Sequence, residues 1–264
     1  MVDMSFPYEL LIVDLDGVVW RGECIIDRNI EALRILNDLG IKLVFASNNS
    51  SISRRGYAVK LTDILGFQVS VDHVFNSGYL ASRWIMDNYG SMRIYPVGEE
   101  GLVEELTLMG HRIVDDVWSI EAVVVGLDRN LTYRKLEIAH RAITMNKALF
   151  VACNDDHVLP VDEGTIPGAG AIVAFLVKST GLNPIFTAGK PNRYLADLLL
   201  KSVGVAKDRV LVVGDRCDMD AKFALNSGLD SLIVFTGLTK PDTPLTVKPK
   251  YAFMDLLEFV EFYL

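Results

Sequence analysis

The sequence predicts an α/β protein built on parallel sheets, and three observations predict it. Short apolar runs alternate with segments of helical apolar spacing along the whole chain. Several of these helical segments end at a glycine. The apolar runs end in polar, ionisable or small residues, as buried parallel strands do where a sheet presents its carboxyl edge. Strand, helix, strand, helix implies right-handed crossovers.

The elements run in order. Leu10 to Val13 is the first strand. Asp27 to Leu39 carries Ile30, Leu33, Ile35, Leu36 and Leu39 at helical spacing, and Gly40 stops it. Ile41 to Ala46 is the second strand, and Ser53 to Leu65 the next helix, stopped by Gly66. Met92 to Val97, Glu121 to Gly126 and Ala148 to Cys153 read as strands. Glu99 to Met109 and Thr132 to Asn146 are the helices between them, with Thr132 as the cap of the second. The Gly/Pro-rich stretch 164–170 opens a helix through Lys178. After Gly181 the pattern starts again. Residues 184–188 form a strand, a helix runs from Asn192, and Val210 to Gly214 is a strand. A helix near Met219 to Asn226, a strand at 231–235 and an amphipathic helix at Asp255 to Tyr263 complete the chain. So many strands exceed one small sheet and indicate two α/β domains.

Composition excludes several classes. The chain has 264 residues, 50% of them hydrophobic and 23% charged, too apolar for a disordered chain. The net charge is -8 and there is no basic run, which speaks against nucleic acid or an anionic membrane surface as a partner. Cys24, Cys153 and Cys217 are scattered, so neither a disulfide framework nor a zinc site is indicated. The N-terminus shows no basic segment leading into a long apolar one, and a soluble, cytoplasmic protein is the expectation.

The residues just beyond each strand carry the chemistry. Asp14-Leu15-Asp16-Gly17 comes after the first strand and Ser47-Asn48-Asn49-Ser50 after the second. Gly189-Lys190-Pro191 comes after residues 184–188. Asp215 comes after Val210 to Gly214, with Asp218 and Asp220 close behind. A turn or a solvated lysine would account for any one of these. Together they describe converging like charges, which repel unless a proton or a cation neutralises them. Oxygen donors without His or Cys suit Mg²⁺. A hard metal, a lysine, a hydroxyl and a carboxylate nucleophile together describe phosphoryl chemistry.

These segments, in this order, resemble the haloacid dehalogenase-like hydrolases, most closely their NagD-type, p-nitrophenyl-phosphatase-like subclass. The resembling motifs are Asp14-Leu15-Asp16-Gly17-Val18-Val19, Phe45-Ala46-Ser47-Asn48-Asn49-Ser50, Gly189-Lys190-Pro191-Asn192 and Gly214-Asp215-Arg216-Cys217-Asp218-Met219-Asp220. Val125-Gly126-Leu127-Asp128 and Pro167-Gly168-Ala169-Gly170 lie between the second and third. One position departs from the family: Met219 stands where Thr is common.

The resemblance implies a Rossmann-like, doubly wound parallel-sheet core with an inserted α/β cap. The core would be residues 1–78 and 184–264, and the cap 79–183. It implies a Mg²⁺-dependent phosphatase for small phosphate monoesters. Asp14 would be the nucleophile that forms an aspartyl-phosphate, and Asp16 the acid and then the base. Ser47 and the Asn48 N–H would hold phosphoryl oxygens, and Lys190 would offset charge on nucleophile and phosphoryl group. Asp14, Asp215 and the Asp16 carbonyl would bind the metal, with Asp220 in support. The partner implied is a small phosphorylated metabolite, and relatives pair through their caps.

The loop from Asn154 to Pro160 would face the substrate. His157 reads either as a substrate contact or, as is commoner for a loop histidine, as a solvated residue, and Leu159 stands nearest to the place where relatives acting on pyridoxal phosphate carry a histidine. The rival functions are a phosphotransferase or phosphomutase with the same intermediate, and a binding protein on an inactive scaffold. The presence of Asp14, Asp16, Lys190 and Asp215 opposes the latter. Trp20, Trp84, Trp118 and Cys217 read as packing residues. Gly168-Ala169-Gly170 lacks the third glycine of a dinucleotide fingerprint and reads as a helix entry.

Overall fold

A computed structural model describes residues 6–161, 164–245 and 247–264. The N-terminal residues 1–5, part of the segment read for a leader, lie outside the described residues. The chain packs into two compact units. One is Met1–Ala46, Ala58–Val74 and Lys190–Leu264; the other is Ser47–Tyr57 and Phe75–Gly189.

Strand β1 (Leu10–Asp14) is buried along its apolar length, as a central parallel strand must be. A hairpin of β2 (Trp20–Arg21) and β3 (Cys24–Ile25) comes next. Helix α1 (Asp27–Asp38) then buries Ile30, Leu33 and Leu36, the apolar face that its spacing predicts. That face also buries Asn29, whose amide donates to the Val18 carbonyl at 2.7 Å and whose Oδ1 accepts from Leu256 N at 2.7 Å. A buried amide satisfied at both ends adds a specific tie to an apolar interface. Strand β4 (Lys42–Ser47), helix α2 (Arg54–Leu65) and strand β5 (Val74–Asn76) come after it.

The second unit continues with α3 (Ser77–Tyr89), β6 (Arg93–Val97), α4 (Glu100–Leu108), β7 (Arg112–Ile113) and β8 (Ala122–Val125). After these come α5 (Tyr133–Met145), β9 (Leu149–Ala152), β10 (Val158–Val161), β11 (Gly164–Pro167), α6 (Ala169–Thr180) and β12 (Phe186–Thr187). Its main sheet is parallel in the order β12-β9-β8-β6-β7. Val123, Val125, Phe150, Ile143 and Leu176 meet in its core. Thr132 caps α5, its side chain accepting from Lys135 N at 3.2 Å. At α4, a Cβ on Gly101 would meet the Ile52 backbone, so glycine alone permits that approach. One turn on, buried Glu105 pairs with Arg54 at 3.3 Å and accepts from Arg54 N at 2.5 Å.

Back in the first unit are α7 (Tyr194–Val203), β13 (Val210–Gly214), α8 (Lys222–Ser227), β14 (Asp230–Val234), β15 (Tyr251–Phe253) and α9 (Leu256–Tyr263). The six-stranded sheet has the order β15-β14-β13-β1-β4-β5. Its pairings from β15 through β4 are parallel. The doubly wound α/β expectation is thus met.

Several features go beyond the expected elements, among them the β2–β3 hairpin and the short strands β5 and β7. Helix α3 has its signal in Asn76, which caps it by accepting from Tyr79 N at 2.7 Å. The β10–β11 hairpin is too short and mixed to show a period. Strand β15 is a short edge strand of the same kind. The helix expected near Met219 begins earlier, as a π turn over Cys217–Ala221 that runs into α8. Trp20 is buried and Trp84 stacks on Phe186 at 4.3 Å, but Trp118 is 61% exposed, so packing does not describe it. Cys217 packs with Ala221 and Ile233.

Candidate active site

The adjacent central strands β1 and β13 end side by side, Val13 being paired with Val213. Asp14 and Asp215 therefore leave the sheet at the same edge, the carboxyl ends where such sheets bind ligands. The π turn widens the chain after Asp215, with Asp220 N donating to Arg216 O at 2.8 Å, and Asp220 is buried. Carboxylate oxygens of Asp14, Asp215 and Asp220 all lie within 4.8 Å of one another. Among them stands the buried ammonium of Lys190, 2.8 Å from Asp14 Oδ1 and 2.6 Å from Asp220 Oδ1. It also donates to the Ala46 carbonyl at 3.3 Å, and Ala46 is the β4 residue paired with Asp14.

Three carboxylates out of water around one ammonium carry surplus negative charge. Burial first, then Asp220, pushes the Asp215 carboxyl up to about 7, against the Leu238 N–H and Lys190. Asp14 is likewise held well above the ordinary carboxylate value, by burial and by Asp220 and Asp215, with Lys190 opposing. Burial would lower Lys190, but Asp14 and Asp220 outweigh it and keep the ammonium charged. Such a site favours either a proton or a cation. Oxygen donors only, close together and short of positive charge, fit a hard divalent metal. Asp220 has both oxygens engaged, Oδ1 by Lys190 and Oδ2 by Arg216 N at 3.1 Å, which suits support rather than ligation. Asp218 is instead half exposed and pairs with Arg216 at 2.8 Å.

The other expected residues sit nearby in sequence but differ in setting. Asp16 lies just beyond the end of β1, and its Oδ1 accepts from Trp20 Nε1 at 3.0 Å. Ser47 and Asn48 group with the second unit. The buried Ser47 hydroxyl accepts from Asn49 N at 3.1 Å. The Asn48 amide donates to Asp156 at 2.9 Å, and the Asn48 carbonyl accepts from Asn154 at 2.6 Å and from Ser77 at 2.5 Å. Asn154 and Asp156 thus brace the segment that holds Asn48. In the same loop His157 is exposed and Leu159 half-buried.

Comparison with known proteins decides the family. Residues 11–112 match the family described as haloacid dehalogenase-like hydrolase, and residues 187–259 match the related HAD-hydrolase-like description. The chain is 33% identical to phosphoglycolate phosphatase 2 of Arabidopsis thaliana, over 92% of this chain and 89% of that one. A solved p-nitrophenyl phosphatase from Archaeoglobus fulgidus superimposes with a TM-score of 0.88 at 32% identity, covering 97% and 99% of the two chains. A glycerol phosphate phosphatase from Mycobacterium tuberculosis, solved in complex with magnesium, superimposes with a TM-score of 0.85 at 32% identity, covering 97% and 77%. The chain belongs to the haloacid dehalogenase-like hydrolases.

Within that superfamily its kin are the NagD and p-nitrophenyl phosphatases, and as an enzyme it is a phosphoric monoester hydrolase. No helix among the described residues is long and apolar enough to cross a membrane.

The structure adds residues to the hydrolase motifs. Leu238 N donates to Asp215 Oδ2 at 2.5 Å, and Thr239 N donates to Asp215 O at 3.2 Å. A Cβ on Gly237 or on Gly17 would meet the Asp215 carboxylate, and one on Gly214 would meet that of Asp220. Three glycines therefore make room for two carboxylates. The 237–239 segment carries no charge and lies beyond β14, so nothing in its residue types announces it. Gly17 also has φ of +83°, a region that costs other residues about 1–2 kcal/mol. Gly17→Ala is expected to displace Asp215 and cut kcat/KM by about a hundredfold or more, the scale of a lost transition-state contact. A steady-state assay beside an unfolding curve checks it, and normal activity in the Gly17→Ala enzyme would refute the cradle.

Proposed function

We propose that the chain is a Mg²⁺-dependent phosphatase of small phosphate monoesters that works through an aspartyl-phosphate on Asp14. The observation that carries this is Lys190, whose buried ammonium bridges Asp14 and Asp220 inside the carboxylate cluster. A carboxylate approaching a phosphate dianion is repelled, and this cation lowers that barrier while fixing Asp14. Mg²⁺, when held by Asp14, Asp215 and the Asp16 carbonyl, would supply the further positive charge that the transferring group requires.

In the first step an Asp14 oxygen forms a bond to phosphorus as the ester P–O bond breaks. Asp16 gives its proton to the departing oxygen. In the second step Asp16 takes a proton from water, whose oxygen attacks phosphorus and returns Asp14 as a carboxylate with release of phosphate. Ser47 and the Asn48 N–H hold phosphoryl oxygens. Residues 79–183 serve as the cap that selects the leaving group, through the loop from Asn154 to Pro160. The substrate is a small phosphorylated metabolite, the enzyme works in the cytoplasm, and copies pair through their caps.

The named activities of the relatives support the reaction class. The test is phosphate release from p-nitrophenyl phosphate with Mg²⁺ and after chelation with EDTA. Turnover that the chelator stops and added Mg²⁺ restores is the expected result. Turnover indifferent to EDTA would remove the metal from the proposal, and none at all would remove hydrolysis.

A further inference from the structure

The geometry points to Trp20 as the positioning residue for Asp16: its indole N–H fixes the carboxyl that hands a proton to the leaving oxygen. This rests on the reading of Asp16 as the acid. The chain after β1 folds into a tight turn in which the N–H groups of Val18, Val19 and Trp20 all point to the Leu15 carbonyl, at 3.3, 2.8 and 3.3 Å. Gly17 N closes the turn onto Trp20 O at 2.6 Å. Residue 20 is thereby carried back beside residue 16, where the two form an isolated bridge. The indole Nε1 then donates to Asp16 Oδ1 at 3.0 Å.

The indole is itself held. Trp20 is 4% exposed, sits in the hairpin opposite Ile25, and has the Lys60 ammonium 4.0 Å from its ring centroid. A tryptophan N–H donates and never accepts, so it reserves Oδ1 as an acceptor. Oδ2 is then the oxygen that carries and delivers the proton. A short carboxyl that would otherwise sample several rotamers is kept in one, and orientation of this kind is a recognised part of rate enhancement. Nothing in the motif Asp14-Leu15-Asp16-Gly17 requires an indole four residues after Asp16. A phenyl ring would fill the same apolar place without the bond.

The leaving group provides the test. p-Nitrophenolate departs as a stable anion, whereas an alkoxide needs a proton as the bond breaks. We would measure kcat/KM on p-nitrophenyl phosphate and on glycerol phosphate for the wild type, Trp20→Phe and Asp16→Asn. A fourth protein would carry 3-benzothienylalanine at position 20, which keeps the shape of the ring and replaces N–H by sulfur.

Trp20→Phe and the sulfur analogue are expected to lose about ten- to a hundredfold on glycerol phosphate, part of the factor a general acid supplies. On p-nitrophenyl phosphate the loss should stay under about threefold. Equal losses on both substrates would mean a structural role only and would overturn the inference. So would no loss on either. Asp16→Asn separates the layers: if it shows no leaving-group dependence, the assignment of Asp16 as acid falls and the inference with it. If Asp16→Asn shows that dependence and the two position-20 proteins do not, only the inference falls.

Discussion

Asp14→Asn is expected to end turnover and leave the metal-free fold at least as stable, whereas Lys190→Met is expected to end turnover and weaken the fold. The loss of rate should be at least about a thousandfold in each case, because one removes the proposed nucleophile and the other the charge proposed to let it approach phosphate. The stabilities differ because of the sign of each shift. The Asp14 carboxyl is raised above its ordinary 3.8 by burial and by its acidic neighbours. A carboxyl raised in this way binds its proton more tightly in the folded state. The native protein therefore loses stability as pH climbs from the ordinary carboxylate range through the raised value. At neutral pH the amide removes that cost.

Lys190 is raised from 10.5, with Asp14 and Asp220 overcoming burial. Its contribution is fully present below the unfolded value and is lost only as pH rises through the folded one, so at neutral pH it is intact. Methionine keeps the apolar stem and strands the carboxylates without their cation. Breaking a buried pair in this manner costs about 3–5 kcal/mol. Calorimetric unfolding at neutral pH without divalent metal compares the two variants. A Lys190→Met protein as stable as the Asp14→Asn protein would contradict this account of the cluster.

The second large effect lies away from the chemistry. Glu105→Ala is expected to destabilise the second unit by about 3–5 kcal/mol, since it leaves the Arg54 guanidinium without its anion. The Glu105 side chain is 2% exposed and that of Arg54 16%, so solvent repairs little. The Arg54 N–H that Oε1 accepts would also be orphaned, and the guanidinium stays stacked at 3.7 Å over the Tyr79 ring. Glu105→Gln keeps an acceptor for that N–H and should cost less. Denaturant unfolding of both variants gives the order. Equal losses would assign the effect to packing alone. Because Arg54 lies in the segment 47–57 with Ser47 and Asn48, the two residues proposed to hold phosphoryl oxygens, the alanine variant should also raise KM for phosphate esters before it unfolds.

Much of the fold was legible because parallel α/β sheets write themselves as apolar runs and helical periods. Leu10 to Val13 and Val210 to Gly214 announce buried strands, and Thr132 announces a cap. The hairpins were not legible, because two-residue and four-residue strands show no period. Asn29 could not be anticipated either: its spacing says only that it lies on the buried face of α1, and its partners come from residues 18 and 256.

At the site, the charged members Asp14, Asp16, Lys190 and Asp215 stand out at strand ends by type and position. Their supports do not. Leu238, Gly237 and Trp20 act through a backbone N–H, a missing Cβ and an indole hydrogen, none of which the residue type declares.

By itself the sequence determined the α/β class, the order of elements and the chemistry available at each strand end. Those properties are local: they depend on hydrophobic period and on which residue ends a strand. Only the tertiary structure decided that Asp14, Lys190, Asp215 and Asp220 meet, and with what charge. Residues about 200 positions apart converge because β1 and β13 pair in register, and burial then sets carboxyl against carboxyl around one ammonium. It also decided that Asp220 turns inward through a π turn and that Asn48 is braced by Asp156. Proximity between distant segments, and the desolvation that comes with it, exist only once the chain has packed.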